Sequence, residues 1–106
     1  MAGTVGAVNN NGKGVSGVAG GSGNNDGVRL MSCQVFDDKG QGDFAKPFVY
    51  AANAGAVIAQ CSWGWTASGF FEQAVLDAMD YFTEEAGQYE GSPMKGGLCI
   101  FSAGNN

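Results

Sequence analysis

The sequence predicts an α/β fold built on a parallel sheet, and three observations support that prediction. Strand-like and helix-like segments alternate along the chain, which is the pattern of βαβ units. The later strand-like segments are nearly continuous apolar runs, as expected of parallel strands covered on both faces. The chain has 106 residues, 44% hydrophobic and 14% charged, which suits one small domain with a thin core. We expect a three-layer, Rossmann-like sheet of three strands alternating with helices.

The N-terminal third combines a short helix with turns before the first strand. Residues 1–8 are small and apolar and predict a piece of helix. Asparagine and glycine at residues 9–14 predict a turn, and a glycine-rich loop covers residues 20–27. Residues 28–36 then predict a strand, closed by the turn signal at residues 37–40. The 19 glycines of the chain indicate many tight turns of this kind.

A capped helix and a second strand are predicted in the middle of the chain. Asp43 is placed to cap a helix that includes residues 44–52, and Pro47 is tolerable only in its first turn. Gly55 is a suitable residue to end this helix. The apolar run at residues 56–62 predicts a strand buried on both faces. This order gives the second βαβ step that the fold class requires.

The clearest predicted element is an amphipathic helix with an acidic face. Between Phe71 and Ala86 apolar residues recur at helical spacing, and acidic residues fill the other positions. Residues 96–102 predict the last strand. The formal net charge is −5 and Lys and Arg form no cluster, so we expect neither a nucleic-acid nor a membrane partner.

Several classes of chemistry are excluded by residue content. The chain has no histidine, which removes an imidazole base, a Ser-His pair and a His-ligated metal from these residues. Cys33, Cys61 and Cys99 are widely spaced inside apolar runs, so we expect buried thiols and neither a disulfide framework nor a CxxC metal site. Neither a basic N-terminal region nor a membrane-length apolar run is found, so we expect a soluble chain without an export signal.

A glycine motif keeps one alternative open. Residues 12–17 match G-x-G-x-x-G, and Asp37 follows about twenty residues later, as in dinucleotide-binding folds. That fingerprint requires a helix that begins within the motif, whereas residues 19–25 are glycine- and asparagine-rich and disfavour a helix. A nucleotide-binding domain is therefore an alternative that requires ATP or NAD to raise the melting temperature.

Four segments, in this order, carry a resemblance to a known family. Residues 1–4 read M-A-G-T, residues 34–42 Q-V-F-D-D-K-G-Q-G, residues 57–64 V-I-A-Q-C-S-W-G, and residues 102–105 S-A-G-N. They resemble the motifs H-G-T-H-x-A-G-T, K-V-L-x-x-x-G-x-G, V-I-N-M-S-L-G and A-A-G-N of subtilisin-like serine proteases, the subtilases of peptidase family S8. The likeness covers nearly the whole chain but only the middle of a subtilase catalytic domain.

The resemblance implies that residues 1–106 are a central fragment that starts after the catalytic histidine segment and ends at the oxyanion asparagine. The parent enzyme, of a commonly exported family, would cleave a peptide or protein substrate by Ser-His-Asp acyl transfer. Asn105 matches the asparagine whose amide stabilises the oxyanion. The three triad residues lie outside this sequence, so we expect an inactive chain. The alternative is a stand-alone, non-catalytic module that binds peptides with the same strands.

The resemblance also implies residues for substrate contact. Two extended edges would pair with peptide backbone, and Phe44 would add an aromatic wall beside them. Trp63 stands where the family usually has leucine, and Trp65 is also bulky, so the pocket walls are expected to be larger than usual. The alternative is that these aromatic residues only anchor the core and loops. The edge residues are Gly40, Gln41, Gly42, Ser62, Trp63 and Gly64.

A calcium loop and an oligomer follow from the same resemblance. The loop at residues 9–15 resembles a calcium-binding loop of many subtilases. Further ligands, a carboxylate among them, come from other segments, so we expect no required cofactor here and calcium in the parent. The family also has a strand between the segments matching residues 28–36 and 56–62, and without it unpaired edges predict a homo-oligomer. The matching calcium ligands are Val8, Asn10, Lys13 and Val15.

Overall fold

The computed structural model describes residues 1–39, 42–65, 69 and 71–105. It divides the chain into two compact units, Met1–Ser32 and Cys33–Asn106. Within the described residues, no helix has both the length and the apolar character needed to cross a membrane.

The first unit is one short helix followed by a chain that folds back on it. Helix α1 spans Ala2–Gly6 and confirms the helix predicted near the N-terminus. The returning chain bonds to it, because the amides of Val18 and Ala19 donate to the carbonyls of Thr4 and Val5 at 2.9 and 2.7 Å. A side chain on Gly20 would collide with the backbone of Ala7, so this close approach requires glycine.

Two helices of the second unit confirm the predicted pattern. Helix α2 spans Lys46–Asn53 and has proline in its first turn, while α3 spans Gln73–Glu85. Gly55 has φ of +102° after the end of α2, and the amide of Ala56 donates to the carbonyl of Ala51 at 2.9 Å. This 6→1 bond is the mark of a Schellman ending, which satisfies a carbonyl that the helix leaves open.

A parallel pair of strands forms the sheet of the second unit. Strand β1 spans Ile58–Cys61 and β2 spans Leu98–Phe101, with Ile58 opposite Leu98 and Cys61 opposite Phe101. Helix α3 lies between the two strands in the chain, which makes a βαβ unit. These elements agree with the predicted α/β class.

One face of this sheet packs on the helices and the other is exposed. Ala59, Cys61, Cys99 and Phe101 contact the helical core. On the opposite face Ile58, Leu98 and Ile100 are 53%, 51% and 44% exposed. The prediction that the later strands are buried on both faces is therefore not confirmed, because within this unit α2 and α3 cover a single face.

The predicted strand at residues 28–36 is also not confirmed. The structure describes these residues without strand pairing, so the sheet of the described residues has two strands instead of three. A strand needs a hydrogen-bonded neighbour for its amides and carbonyls, and this segment has none in the sheet. Its apolar side chains stay accessible, with Leu30 53% and Phe36 42% exposed.

The core of the second unit is small and centred on two aromatic rings. Phe82 and Val75 of α3 are 0% and 1% exposed, and Phe48 of α2 is 4% exposed. The rings of Phe48 and Phe82 meet edge to face, with centroids 6.4 Å apart. Cys61 is buried as predicted, whereas Cys33 and Cys99 are half-buried. All three are unpaired thiols, and the thin core agrees with the length of the chain.

Candidate functional site

The carboxyl ends of β1 and β2 lie side by side, and the segments that follow them contain four of the predicted site residues, Ser62, Trp63, Gly64 and Asn105. Cys61 ends β1 and Phe101 ends β2, and the two residues are register partners. The amide of Ser102 donates to the carbonyl of Cys61 at 3.1 Å, which continues the ladder one step past the strands. Loops at this edge of a parallel sheet are where ligands bind in α/β folds.

Five aromatic rings meet at this edge and are called the aromatic cluster below. Trp63 is at its centre, with its ring centroid 4.8 Å from Phe44, 5.4 Å from Phe101 and 5.8 Å from Trp65. Phe36 joins through Phe44 at 5.2 Å, edge to face. The structure therefore brings together Phe44 and Trp63, which the sequence analysis assigned to one substrate wall.

Two members of the aromatic cluster, Phe36 and Phe101, were missed by sequence reasoning. Each is the last apolar residue of a segment predicted as a strand. For Phe101 that position was an available signal, because the final residues of parallel strands meet at the ligand-binding edge. Phe36 had no such signal, because its segment forms no strand in the structure.

The aromatic cluster is partly anchored in the core and partly accessible. Phe44, Trp63, Trp65 and Phe101 are half-buried and pack against the buried core residues, so the anchoring role is real. Phe36 remains 42% exposed. Edge-to-face and tilted pairs at these distances each contribute about 0.5–1.5 kcal/mol beyond burial, so the rings hold one another firmly. The result is a stiff apolar wall at the edge of the sheet.

The glycines of the two predicted edges have different surroundings. A side chain on Gly64 would meet no atom of the described residues within 4 Å, so within that part of the structure the backbone there is open to a second chain. A side chain on Gly42 would collide with the carbonyl of Val35, so glycine at this position lets the protein's own chain approach. Gly40 and Gln41 lie outside the described residues. Open backbone is thus found on the edge that contains Gly64.

The polar residues of this edge are exposed. Ser62 accepts a hydrogen bond from the Gln60 amide, Nε2 to Oγ, at 3.4 Å. Asn105 is exposed and follows Gly104, which has φ of +86° and turns the chain after β2. Both residues leave the same edge of the sheet, and the amide of Asn105 is accessible to solvent.

Asp43 directly precedes Phe44 in the chain, and its carboxylate binds the backbone at the start of α2. Its Oδ1 accepts hydrogen bonds from the backbone amides of Ala45 and Lys46, both at 3.0 Å. Its other oxygen lies 3.8 Å from the Lys46 ammonium. The pKa of Asp43 is lowered, mainly by the Lys46 amide, with desolvation as the next largest effect opposing it and the Ala45 amide and the Lys46 charge adding smaller lowering effects. Asp43 is not the N-cap that the sequence predicts, because α2 begins two residues later than expected and its N-cap is Ala45, which has no side-chain cap bond; Asp43 instead binds the backbone just before the helix.

The thiols beside the aromatic cluster are poorly suited to nucleophilic chemistry. Burial, with a smaller effect of Cys99, raises the pKa of Cys61 to about 11, and burial also raises that of Cys99. Thiolate is the reactive form of cysteine, so both thiols stay unreactive at neutral pH. Among the described residues no group of three His, Cys, Asp or Glu could hold a metal. This edge offers binding surface and an amide donor.

The residues matching a calcium loop lie in the first unit and do not fit a divalent cation. Val8, Asn10, Lys13 and Val15 are all exposed. The amide nitrogen of Asn10 donates to the carbonyl of Ser22 at 3.2 Å. Lys13 adds a positive charge, and the only acid among residues 1–32 is Asp26. A set of neutral oxygens beside an ammonium group lacks the carboxylates that calcium prefers.

One comparison with known proteins gives a match that covers the full chain. The sequence model of a family described as Peptidase_S8: Subtilase family matches residues 1–106. The corresponding comparisons with curated proteins and with solved structures give no match. The match extends over both units and includes every residue of the aromatic cluster.

Proposed function

Because the chain belongs to the subtilase family of serine peptidases, we propose that it forms the substrate-binding centre of a subtilisin-like endopeptidase and does not cleave peptides by itself. The supporting observation is the aromatic cluster at the carboxyl edge of β1 and β2, with the open backbone of Gly64 in the same loop as Trp63. An apolar wall beside an accessible backbone suits a peptide, whose amides pair with the edge while its side chains contact the rings.

Asn105 is the proposed oxyanion donor. Its exposed side chain follows β2 at the edge where Ser62 and Gly64 follow β1. An amide aimed at the developing oxyanion contributes about 10²–10³ in rate when a nucleophile attacks the same carbonyl. In these 106 residues the proposed role of Asn105 is therefore to donate to the carbonyl of a bound peptide.

The absence of hydrolysis follows from residue content. Acyl transfer by serine needs a base that takes its proton, and the sequence has no histidine. A fluorogenic peptide and a fluorophosphonate probe test this directly: we expect no turnover and no covalent label. Labelling of any serine in the chain would contradict the proposal.

Peptide binding can be measured with the chain's own fluorescence. Its two tryptophans are Trp63 and Trp65, so intrinsic emission reports on the aromatic cluster. We expect an extended, end-blocked peptide to shift this emission and Gly64→Val to weaken binding by about tenfold or more, because the side chain fills the approach path. Gly3→Ala is the control, since a side chain there also meets nothing within 4 Å. No emission change at millimolar peptide would contradict the proposal.

A second proposed function is the non-catalytic module that binds peptides as its own task. The same open edge and the lack of histidine favour it. The genomic sequence distinguishes the two proposals, because an in-frame H-G-T-H directly before Met1 supports the endopeptidase and its absence supports the module. Peptide binding is expected from both, and loss of binding would contradict both.

The proposed architecture includes a third strand and a partner chain. Residues 28–36 have the composition of a strand, and we assign them to the sheet in the presence of a neighbouring strand. Among the described residues β1 and β2 each have one side without a strand partner, which supports the second part of this proposal, a homo-oligomer formed by edge pairing or exchange of elements.

A further inference from the structure

We propose that residues 8–27 of the first unit are held in shape by two of their own side chains and keep that shape without a divalent cation. The two side chains are those of Asn9 and Asp26, and we call them the amide clamp and the carboxylate clamp. This inference departs from the calcium-binding loop that the segment resembles, and it is independent of peptide binding in the second unit.

The amide clamp joins Asn9 to Gly17 across the loop. The Asn9 Oδ1 accepts from the Gly17 amide at 2.9 Å, and the Asn9 Nδ2 donates to the Gly17 carbonyl at 3.1 Å. The backbone amide of Asn9 also donates to the carbonyl of Gly20 at 3.3 Å. Gly17 and Gly20 are buried and Asn9 is half-buried, so these bonds are shielded from water. Both polar groups of the Asn9 side chain are therefore bonded within the loop.

The carboxylate clamp closes the far end of the same segment. The Asp26 Oδ1 accepts from the Ser22 amide at 2.8 Å, and the Asp26 Oδ2 accepts from the Ser22 hydroxyl at 2.8 Å. The amide nitrogen of Asn24 donates to the same hydroxyl at 3.0 Å. Both oxygens of the only carboxylate in residues 1–32 are therefore bonded within the loop.

The first unit offers few charged ligands to a cation. Calcium takes six to eight oxygen ligands, usually with several carboxylates. The side chains of this unit include one carboxylate and two cations, Lys13 and Arg29. Their net charge is positive, so the unit attracts a cation weakly. The two clamps do not depend on a cation, because neither Asn9 nor Asp26 belongs to the matching ligands and both are bonded to the backbone of the loop itself.

Amide hydrogen exchange of the 106-residue chain tests the proposal. We expect the Gly17 and Ser22 amides to be protected equally in EDTA and in millimolar calcium chloride, with the same melting temperature in both. Calcium-dependent protection of residues 8–27, or a melting temperature that rises with calcium and saturates, would overturn the proposal.

The Asn9→Asp variant distinguishes an amide clamp from a calcium site. The carboxylate keeps the acceptor for the Gly17 amide but loses the donor to the Gly17 carbonyl, so an amide clamp weakens. We expect exchange at Gly17 about tenfold faster, the ratio for one hydrogen bond of roughly average strength, with no rescue by calcium. A calcium site at the adjacent Asn10 would gain a nearby negative charge and become tighter, so a calcium-dependent rise in the stability of this variant would overturn the proposal.

Asn11→Ala is the matched control. Asn11 lies in the same turn, but its Oδ1 accepts only the local amide of Lys13 at 3.1 Å. We expect the Gly17 amide to exchange in this variant at the rate of the unsubstituted chain. An equal loss of Gly17 protection in Asn9→Asp and Asn11→Ala would overturn the amide clamp. If Asn9→Asp does not fold, the calcium comparison on the unsubstituted chain decides the proposal alone.

Discussion

Asp43 accepts hydrogen bonds from the amides of Ala45, the N-cap residue of α2, and Lys46, its first residue. Because these bonds and the Lys46 ammonium lower its pKa below the ordinary 3.8, the carboxylate is favoured in the folded chain. The stabilisation is present above that ordinary pKa and is lost as the pH falls through the folded pKa. Asp26 in the first unit follows the same rule, with its pKa lowered by the Ser22 amide and hydroxyl.

Asp43→Asn tests this dependence on pH. The amide oxygen still accepts from Ala45 and Lys46, but the charge is gone, so we expect a slightly lower melting temperature at neutral pH and a shallower fall towards pH of about 3. Melting curves across this range check the prediction. Asp38→Asn removes the same charge in the preceding turn and is expected to keep the steeper fall. Identical pH profiles for Asp43→Asn and the unsubstituted chain would contradict the prediction.

Trp63 makes more aromatic contacts than any other ring among the described residues. Its three partners predict that Trp63→Leu, which restores the residue usual in the family, lowers the free energy of unfolding by about 1.5–4.5 kcal/mol. Trp65→Leu removes one of the described ring pairs and is expected to cost about a third of that. Urea denaturation measures the free energy of unfolding of both variants. Equal losses of stability would show that Trp63 is not the centre of the aromatic cluster.

At the scale of elements, α2 and α3 could be predicted from sequence because their determinants are local. The side chain of Asp43, the left-handed Gly55 and the spacing of Val75, Ala78 and Phe82 act within a few residues of their own helix. The helix bounds found in the structure differ from the predicted ones by only a few residues. Capping chemistry and helical periodicity are sufficient for such elements.

The strand at residues 28–36 and the membership of the aromatic cluster could not be predicted in this way. A strand is defined by a partner, and the apolar composition of residues 28–36 does not supply one. The cluster joins Phe36, Phe44, Trp63 and Phe101, which are far apart in the chain, so local pattern could not group them. The exposed face at Leu98 was missed for a similar reason, since a buried-type run does not reveal what covers it.

The ending of α2 gives a prediction at this scale. Gly55→Ala places a side chain on a residue with φ of +102°, and its nearest neighbour, Tyr89 Cε1, lies at an ordinary 3.8 Å. The cost is therefore conformational, and we expect the free energy of unfolding to fall by about 1–2 kcal/mol. Gly64→Ala is the control, because its φ is not positive and a side chain meets no atom within 4 Å. Urea denaturation that gives equal stabilities for the two variants would contradict this explanation.

On the scale of the whole molecule, charge and apolar surface are unevenly distributed. Nine of the ten acidic residues lie in residues 33–106 with three lysines, while residues 1–32 contain one acid and two bases. Most of the acidic groups lie on or near α3, on its solvent face, which keeps that side of the second unit hydrated. The uncharged face formed by Ile58, Leu98 and Ile100 is the contrasting surface.

The open edge of β1 makes self-association the final prediction. The amide of Leu98 bonds to the Val57 carbonyl and that of Ser102 to the Cys61 carbonyl, so residues 57, 59 and 61 face β2. By the alternation of a parallel ladder, the amides of Ile58 and Gln60 point away from it. Among the described residues no strand receives them. We therefore expect analytical ultracentrifugation to show particles larger than 10.8 kDa whose fraction rises with concentration.

Gln60→Pro is the variant that separates edge pairing from other contacts. Proline removes only an amide that faces away from β2, a position that edge strands tolerate, so the β1–β2 ladder and the circular dichroism spectrum should be kept. If β1 pairs with a second copy, this variant sediments as a 10.8 kDa monomer. Leu98→Lys is the counterpart on the exposed face, where a lysine disrupts face packing but leaves every ladder amide in place. If Leu98→Lys dissociates the oligomer and Gln60→Pro does not, the association is through the apolar face and edge pairing is contradicted. If the unsubstituted chain is a monomer at every concentration, association through the edge and through the face are both contradicted.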